Sequence, residues 1–117
     1  MPKPVAKPSL FVRIQFSGGH RFGPGKADLL AAIDRTGSIA EAARSMRMSY
    51  RRAWLLVDST NRLFGRPVVT AGPGGRRGGG AALTSFGREM VRCYHRMIGT
   101  MARSVAPDLA RFRRWAS

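Results

Sequence analysis

Arginines between positions 44 and 77 are the residues of this sequence best suited to binding chemistry. That segment sets a single acid, Asp58, against Arg44, Arg47, Arg51, Arg52, Arg62, Arg66, Arg76 and Arg77. A solvated protein face usually interleaves both signs of charge. Because the planar guanidinium group matches phosphate oxygens and the O6 and N7 atoms of guanine, this segment favours binding to nucleic acid. The alternative is an ordinary basic surface.

The side chains that could contact bases lie in the first turn of a predicted helix, which reads Ser49, Tyr50, Arg51 and Arg52. Ser49 is its predicted N-cap. In the short helix before it, Ala42 and Ala43 are small enough to let two helices pack closely. Two such helices are typical of a helix-turn-helix, which presents the first turn of its second helix to the major groove.

Phosphate contacts are predicted around the first of these two helices. Ser38 and Glu41 form a capping box at its start. The free N–H groups there could also hold a phosphate, so a cap and a contact at Ser38 do not compete. We expect Arg44, Arg47 and the main chain to hold phosphates. For Tyr50 two interpretations stay open, packing in the core or a phosphate contact through its hydroxyl.

A glycine-rich segment at 72–80 is the second candidate contact. It carries Arg76 and Arg77 between a β-branched strand at 67–71 and a return strand at 81–83. A tip with few side chains can approach a phosphate backbone or enter a minor groove. The alternative is a surface loop with incidental arginines. No Lys-Ser/Thr pair follows the glycines, so the segment does not match a nucleotide-binding P-loop.

Residues suited to catalysis or metal binding are scattered. Cys93 is the one cysteine and has no activating neighbour in sequence, and His20 and His95 lie far apart. The acids form no paired-carboxylate site; they are Asp28, Asp34, Glu41, Asp58, Glu89 and Asp108. We therefore expect no enzyme, no metal site and no cofactor.

The composition is that of one small basic domain. In 117 residues, 21 Lys+Arg stand against 6 Asp+Glu, the formal net charge is +15, and 44% of the residues are hydrophobic. That apolar content is enough for one core, and the charge calls for an anionic partner. No stretch reaches the ~20 apolar residues of a membrane span, and 1–9 lacks the apolar core of a secretory signal. We expect no membrane partner and a bacterial, cytoplasmic, nucleoid-associated location.

Hydrophobic periodicity predicts a mainly α fold with a small β-hairpin wing. The predicted elements are a flexible basic arm at 1–9, an edge strand at 10–16, a glycine-rich link at 17–25, helices at 26–35, 38–46 and 49–64, the hairpin at 67–83, a helix at about 84–105 and a basic segment at 106–117. The domain itself is expected to span 10–105. We expect Pro107 to interrupt the last helix and Trp54 to lie in the core.

The last predicted helix carries a longer apolar stripe than one small core would cover. Burial against a symmetry-related copy is a common solution, and twofold dimers are the commonest oligomers. We expect a homodimer with two recognition helices on an inverted repeat. Its predicted interface contains Phe86, Met90, Tyr94, Met97, Ile98 and Met101. The alternative is a helix packed wholly on its own domain.

Two runs, 37–44 (GSIAEAAR) and 48–54 (MSYRRAW), resemble the ModE-type molybdate-responsive transcription regulators and, more loosely, LysR-type regulators. Asn61, the glycine-rich run 74–80 and 82–87 (ALTSFG) extend the ModE likeness, as does the leading strand. The resemblance implies an N-terminal winged helix-turn-helix DNA-binding domain, to which the apolar stripe adds a long C-terminal dimerisation helix. In ModE-type proteins β-rich molybdate-binding domains follow, and this sequence has no counterpart to them. The resemblance leaves two alternatives, a stand-alone DNA-binding protein or one that relies on a separate effector-binding partner chain.

The sequence thus predicts a sequence-specific transcription regulator that binds double-stranded DNA as a homodimer. The helix at 49–64 would enter the major groove, and the wing at 72–80 would contact the adjacent groove or backbone. The alternative is a nucleoid-type architectural protein that binds DNA without reading its sequence, driven by counterion release. Composition alone does not separate the two.

Overall fold

Four helices and two short hairpins make up the fold, as a computed structural model describes it for residues 7–72 and 80–116. The elements in chain order are β1 (Ile14–Gln15), β2 (Arg21–Phe22), α1 (Pro24–Thr36), α2 (Ile39–Ser45), α3 (Tyr50–Phe64), β3 (Val69–Gly72), β4 (Gly80–Leu83) and α4 (Ser85–Trp115). This order confirms the predicted winged helix-turn-helix.

Hydroxyl caps start three of the helices, as the sequence predicts. The side chain of Ser38 accepts from the Glu41 N–H at the start of α2, and Ser49 accepts from the Arg52 N–H at the start of α3. Thr84 caps α4 in the same way. These caps satisfy backbone donors that a helix cannot pair internally, so the starts of α2, α3 and α4 are fixed by local sequence.

The core forms around α1, which contacts α2, α3, β4 and α4. Leu29, Leu30 and Ile33 of α1 are fully buried. So are Ala42 and Ala43 of α2, as expected of small residues between closely packed helices. The other fully or nearly buried side chains include Phe22, Ala53, Val57, Val68, Leu83, Val91 and Tyr94.

The wing is an antiparallel hairpin in which Val69 pairs with Leu83 and Gly72 with Gly80. Its base is bonded to the helix-turn-helix, because the Ala81 N–H donates to the carbonyl oxygen of Gly37 at 2.9 Å. The tip at 73–79, which holds the predicted contacts Arg76 and Arg77, lies outside the described residues.

The N-terminal strand is shorter than predicted. Only Ile14–Gln15 pairs, because its partner is the equally short Arg21–Phe22. Exposure nevertheless alternates from residue 10 to 15 as predicted, with Leu10, Val12 and Ile14 on the half-buried side. The expected link at 17–25 is therefore wrong in part: it contains β2 and the first two residues of α1.

Helix α4 runs for 31 residues through Pro107, so the prediction that Pro107 would interrupt it is wrong. A proline removes its own N–H bond to the carbonyl oxygen four residues earlier, and its ring crowds that carbonyl. Pro107 and Arg103 are both exposed, so water can solvate the freed carbonyl. Within the two described ranges, no helix is both long and apolar enough to cross a membrane.

Candidate nucleic-acid interface

The turn between α2 and α3 is a tight C-cap built around a left-handed arginine. Arg47 has φ 56°, its N–H donates to the carbonyl oxygen of Arg44, and the Met48 N–H donates to that of Ala43. These two bonds are the pair that defines a Schellman motif, where glycine is the usual residue at the left-handed position. The motif ends α2 sharply and leaves the Arg47 side chain exposed.

The outer face of α3 is defined by Arg51, Arg52, Leu55, Ser59 and Arg62. These residues line one shallow groove, together with Ser49 and Leu56. The opposite side of the helix is buried, with Ala53, Val57 and Thr60 packed into the core. The structure therefore turns the predicted base-contacting arginines away from the domain.

The arginine cluster divides into free and engaged members. Arg44, Arg47, Arg51 and Arg52 are exposed, and within 7–72 and 80–116 no hydrogen bond or ion pair engages their guanidinium groups. Two others are engaged. The guanidinium of Arg62 pairs with Asp58, and that of Arg66 lies 3.6 Å from the centre of the Phe86 ring.

Trp54 is 47% exposed, so the prediction that it lies in the core is wrong. Successive residues of a helix are separated by 100°, which places Trp54 well to the side of the buried line through Ala53 and Val57. Tyr50, one turn earlier, is 56% exposed and also lies outside the core. Leu55, which was not predicted as a site residue, is 46% exposed on the outer face. Its position four residues after Arg51 could have indicated this.

Ser38 is occupied structurally. Its hydroxyl accepts from the Glu41 N–H at 3.2 Å, and its carbonyl oxygen accepts from the Thr36 hydroxyl at 3.0 Å. The side chain is half-buried. The cap occupies the hydroxyl only, so the expected phosphate contact at Ser38, through the N–H groups at the start of α2, stays a prediction.

Side-chain contacts to the backbone of Pro67 and Val68 fix the C-terminal end of α3 to the wing and to α4. The Asn61 side-chain oxygen accepts from the Val68 N–H at 2.7 Å, and the Thr84 hydroxyl donates to the Pro67 carbonyl oxygen at 2.8 Å. Gly87 approaches so closely that a Cβ there would lie 2.3 Å from the Val68 carbonyl oxygen. We call these contacts the α3–α4 joint; they hold the wing in place beside α3.

The apolar stripe of α4 is shared between the core and solvent. Tyr94 is 4% exposed, and its hydroxyl donates to the Val12 carbonyl oxygen at 2.6 Å, so this predicted interface residue belongs to its own core. Phe86, Met90 and Ile98 pack partly against that core. The large apolar side chains of α4 that remain exposed are Met97, Met101, Phe112 and Trp115.

Comparison with known proteins finds relatives with molybdenum-related names, although no family model matches the chain. It is 46% identical over 96 residues to the molybdenum-pterin-binding protein MopB of Rhodobacter capsulatus, which covers 82% of this chain and 34% of MopB. It is 47% identical over 66 residues to the molybdenum transport protein ModE of Azotobacter vinelandii, covering 56% of this chain and 24% of that protein. With the DNA-binding transcriptional dual regulator ModE of Escherichia coli K12 it shares 35% identity over 71 residues, covering 61% and 27%.

The chain thus spans about a third or less of the length of these relatives. Their names are those of regulators and of molybdenum-binding and transport proteins rather than enzymes, in agreement with the scattered acids of this sequence.

Two solved structures share the fold. The DNA-binding domain CbnR_DBD, solved with DNA, superposes with a TM-score of 0.58 at 19% identity, covering 74% of this chain and 93% of that one. Full-length LysG of Corynebacterium glutamicum, a LysR-type regulator, gives 0.58 at 23% identity, covering 78% and 29%. At these identities the likeness shows the winged helix-turn-helix fold alone.

Proposed function

We propose that this chain, a homologue of the ModE-type regulators over about a third of their length, is a transcription regulator that binds specific double-stranded DNA sequences. One observation carries the proposal. Four exposed arginines with no partner among the described residues lie on α2, on the turn after it and on the first turn of α3. A helix-turn-helix places the N-terminal residues of its second helix in the major groove, while its first helix crosses the DNA backbone.

We assign the roles within this surface by position. Arg51 and Arg52, in the first turn of α3, contact base edges together with Ser49 and Tyr50. Arg44 and Arg47 hold phosphates beside the groove. We assign Arg76 and Arg77 to contacts with the adjacent groove or with the DNA backbone. The bond from Ala81 to Gly37, which ties the wing to the start of the helix-turn-helix, supports their reaching the same duplex.

Selection of bound duplexes from a random pool tests the proposal. A palindromic consensus is the result expected of a dimeric regulator. Binding without any consensus would instead support the architectural protein, which is driven by counterion release and has no sequence preference.

Replacing Arg51 with alanine should weaken binding to the selected duplex by about 1–3 kcal/mol and relax the preference at one base position. Arg44→Ala and Arg76→Ala should weaken specific and random DNA alike and reduce the salt dependence of binding. Titrations of both duplexes at several salt concentrations measure these effects. If Arg51→Ala and Arg44→Ala lowered affinity equally on specific and random DNA, the assigned roles would be wrong.

We further propose a homodimer formed through α4. Met97, Met101, Phe112 and Trp115 continue one stripe along this helix, beyond the part that packs on the domain. Phe86, Met90 and Ile98 would border the contact. Burial against a second copy would remove this apolar surface from water.

Sedimentation analysis of Met101→Glu tests the dimer. The added carboxylate should produce monomers, because a charge buried at an apolar interface is unfavourable. Thr100→Glu adds the same charge one residue away, off the stripe, and should remain dimeric. Dimers in both variants would show that α4 is not the interface.

Any response to an effector is a separate part of the proposal. We place the protein in the bacterial cytoplasm on the nucleoid, either as a stand-alone DNA-binding protein or with effector control from a separate partner chain. Affinity for the selected duplex that stays the same with and without molybdate supports that arrangement. A change in affinity on adding molybdate would place the response in this chain.

A further inference from the structure

Leu55 lies at the centre of the outer face of α3. Ala53 and Val57, two residues to either side, are buried, and a separation of two residues turns a helix by about 200°. Leu55 therefore points away from both and away from the core. Its side chain is 46% exposed, although the helix already has its core residues.

The surroundings of Leu55 are cationic. Arg51 and Arg52, which have no partner among the described residues, lie one turn before it. Ser59 and Arg62, the latter paired with Asp58, lie after it along the same groove. Guanidinium groups around an apolar side chain do not favour an apolar protein surface as the partner. They favour a polyanion that displays a small apolar group.

We propose that Leu55 reads the C5-methyl group of thymine in the major groove, an inference that rests on the proposed function. Among the edges of the four bases in that groove, thymine alone displays an apolar group. Arg51 lies one turn, roughly 6 Å, from Leu55, and stacked base pairs are separated by roughly 3.4 Å. The half-site should therefore contain a guanine contacted by Arg51 and a thymine about two base pairs away.

Replacing thymine with uracil in the selected duplex tests this inference, since uracil keeps every hydrogen-bonding group and lacks only the methyl. One such substitution in each half-site should lower the affinity of the unmodified protein about fourfold per methyl, the value of one buried carbon group. The variants Leu55→Ala and Leu55→Gln should bind thymine and uracil duplexes equally. Ser59→Ala, one turn further along the same face, should keep the discrimination.

The outcomes separate this inference from the function it rests on. A clear consensus with no uracil effect at any position overturns the role of Leu55 and leaves the regulator standing. A uracil effect that persists in both Leu55 variants assigns the methyl contact to another residue and also overturns it. Failure to select any consensus removes the proposed sequence-specific function itself. Equal melting temperatures of Leu55→Ala and the unmodified protein show that the fold is intact.

Discussion

The two ends of α3 use the same residue type for different purposes. At the N-terminal end, the guanidinium groups of Arg51 and Arg52 have no partner within the described part of the chain. At the C-terminal end, that of Arg62 is paired with Asp58 and that of Arg66 lies over the ring of Phe86. Within the described residues, the arginines in the first turn of α3 thus have no partner, whereas the arginine in its last turn and the one just after the helix contact Asp58 and Phe86.

This difference shows that the number of arginines in a segment does not by itself indicate how many of them are available to bind DNA. A carboxylate partner partly neutralises the charge of an arginine, and an arginine packed over an aromatic ring gives up that contact to reach a phosphate. An arginine without a partner loses only water and counterions. Changes at the C-terminal end of α3 should therefore lower stability and leave base preference intact. Changes at the N-terminal end should alter base preference and leave stability intact.

The largest effect is expected at the α3–α4 joint, from Gly87→Ala. The new Cβ would lie 2.3 Å from the Val68 carbonyl oxygen, which is backbone and cannot rotate away. We expect a loss of about 3 kcal/mol in the free energy of unfolding, measured by urea denaturation. Gly99→Ala in the same helix is the control: its Cβ meets only the end of the Arg103 side chain, so alanine should stabilise by about 0.5–1 kcal/mol. If both substitutions changed the free energy of unfolding in the same direction, the close approach at Gly87 would be contradicted.

Asn61→Ala should have the next largest effect. It leaves the N–H of the fully buried Val68 without its acceptor, which costs about 2 kcal/mol. Asn61→Asp keeps an oxygen acceptor and should recover most of that loss. The consensus selected by a folded Asn61→Ala protein should match that of the unmodified protein. A changed consensus would mean that this end of α3 also reads DNA.

Tyr94 extends the test to the hydrogen bond between α4 and the N-terminal segment. Losing its hydrogen bond to Val12 in Tyr94→Phe should cost about 1 kcal/mol at neutral pH. Burial, with a smaller contribution from Asp28, raises the pKa of the Tyr94 phenol above its ordinary value of 10.0. The folded state therefore holds this proton more tightly than the unfolded state, and stability falls as pH rises from about 10 toward the raised pKa. Denaturation curves between pH 8 and 11 (roughly the range of tyrosine titration) should show a steeper decline for the unmodified protein than for Tyr94→Phe.

Local rules predicted the scaffold well. Caps at Ser38, Ser49 and Thr84 and the glycine stops at Gly37 and Gly65 depend on neighbouring residues, so the sequence was enough to place them. Several residues on which the ModE likeness rests also have a structural role, because they form the α3–α4 joint.

Residue environments that depend on tertiary packing could not be predicted from the sequence. Trp54 fits the helical period, yet it lies to the side of a narrow buried line. Tyr94 matches a dimer stripe, yet the N-terminal segment covers it. The division of the arginines depends on Asp58 and Phe86, and the Phe86 contact joins residues twenty positions apart, which periodicity does not report.

The smallest effect tests the N-terminal side of the comparison at Arg47, which stands in a left-handed conformation. Glycine adopts that conformation without strain, so Arg47→Gly should raise the free energy of unfolding by about 0.5–1 kcal/mol. It should also weaken binding to specific and random DNA alike, because the phosphate contact is lost. Arg47→Ala keeps the strain and should show the same loss of binding without the gain in stability. If Arg47→Gly were more stable and bound DNA as well as the unmodified protein, Arg47 would have no role in binding to explain its strained conformation. An arginine without a partner among the described residues would then not indicate where α2 and α3 bind DNA.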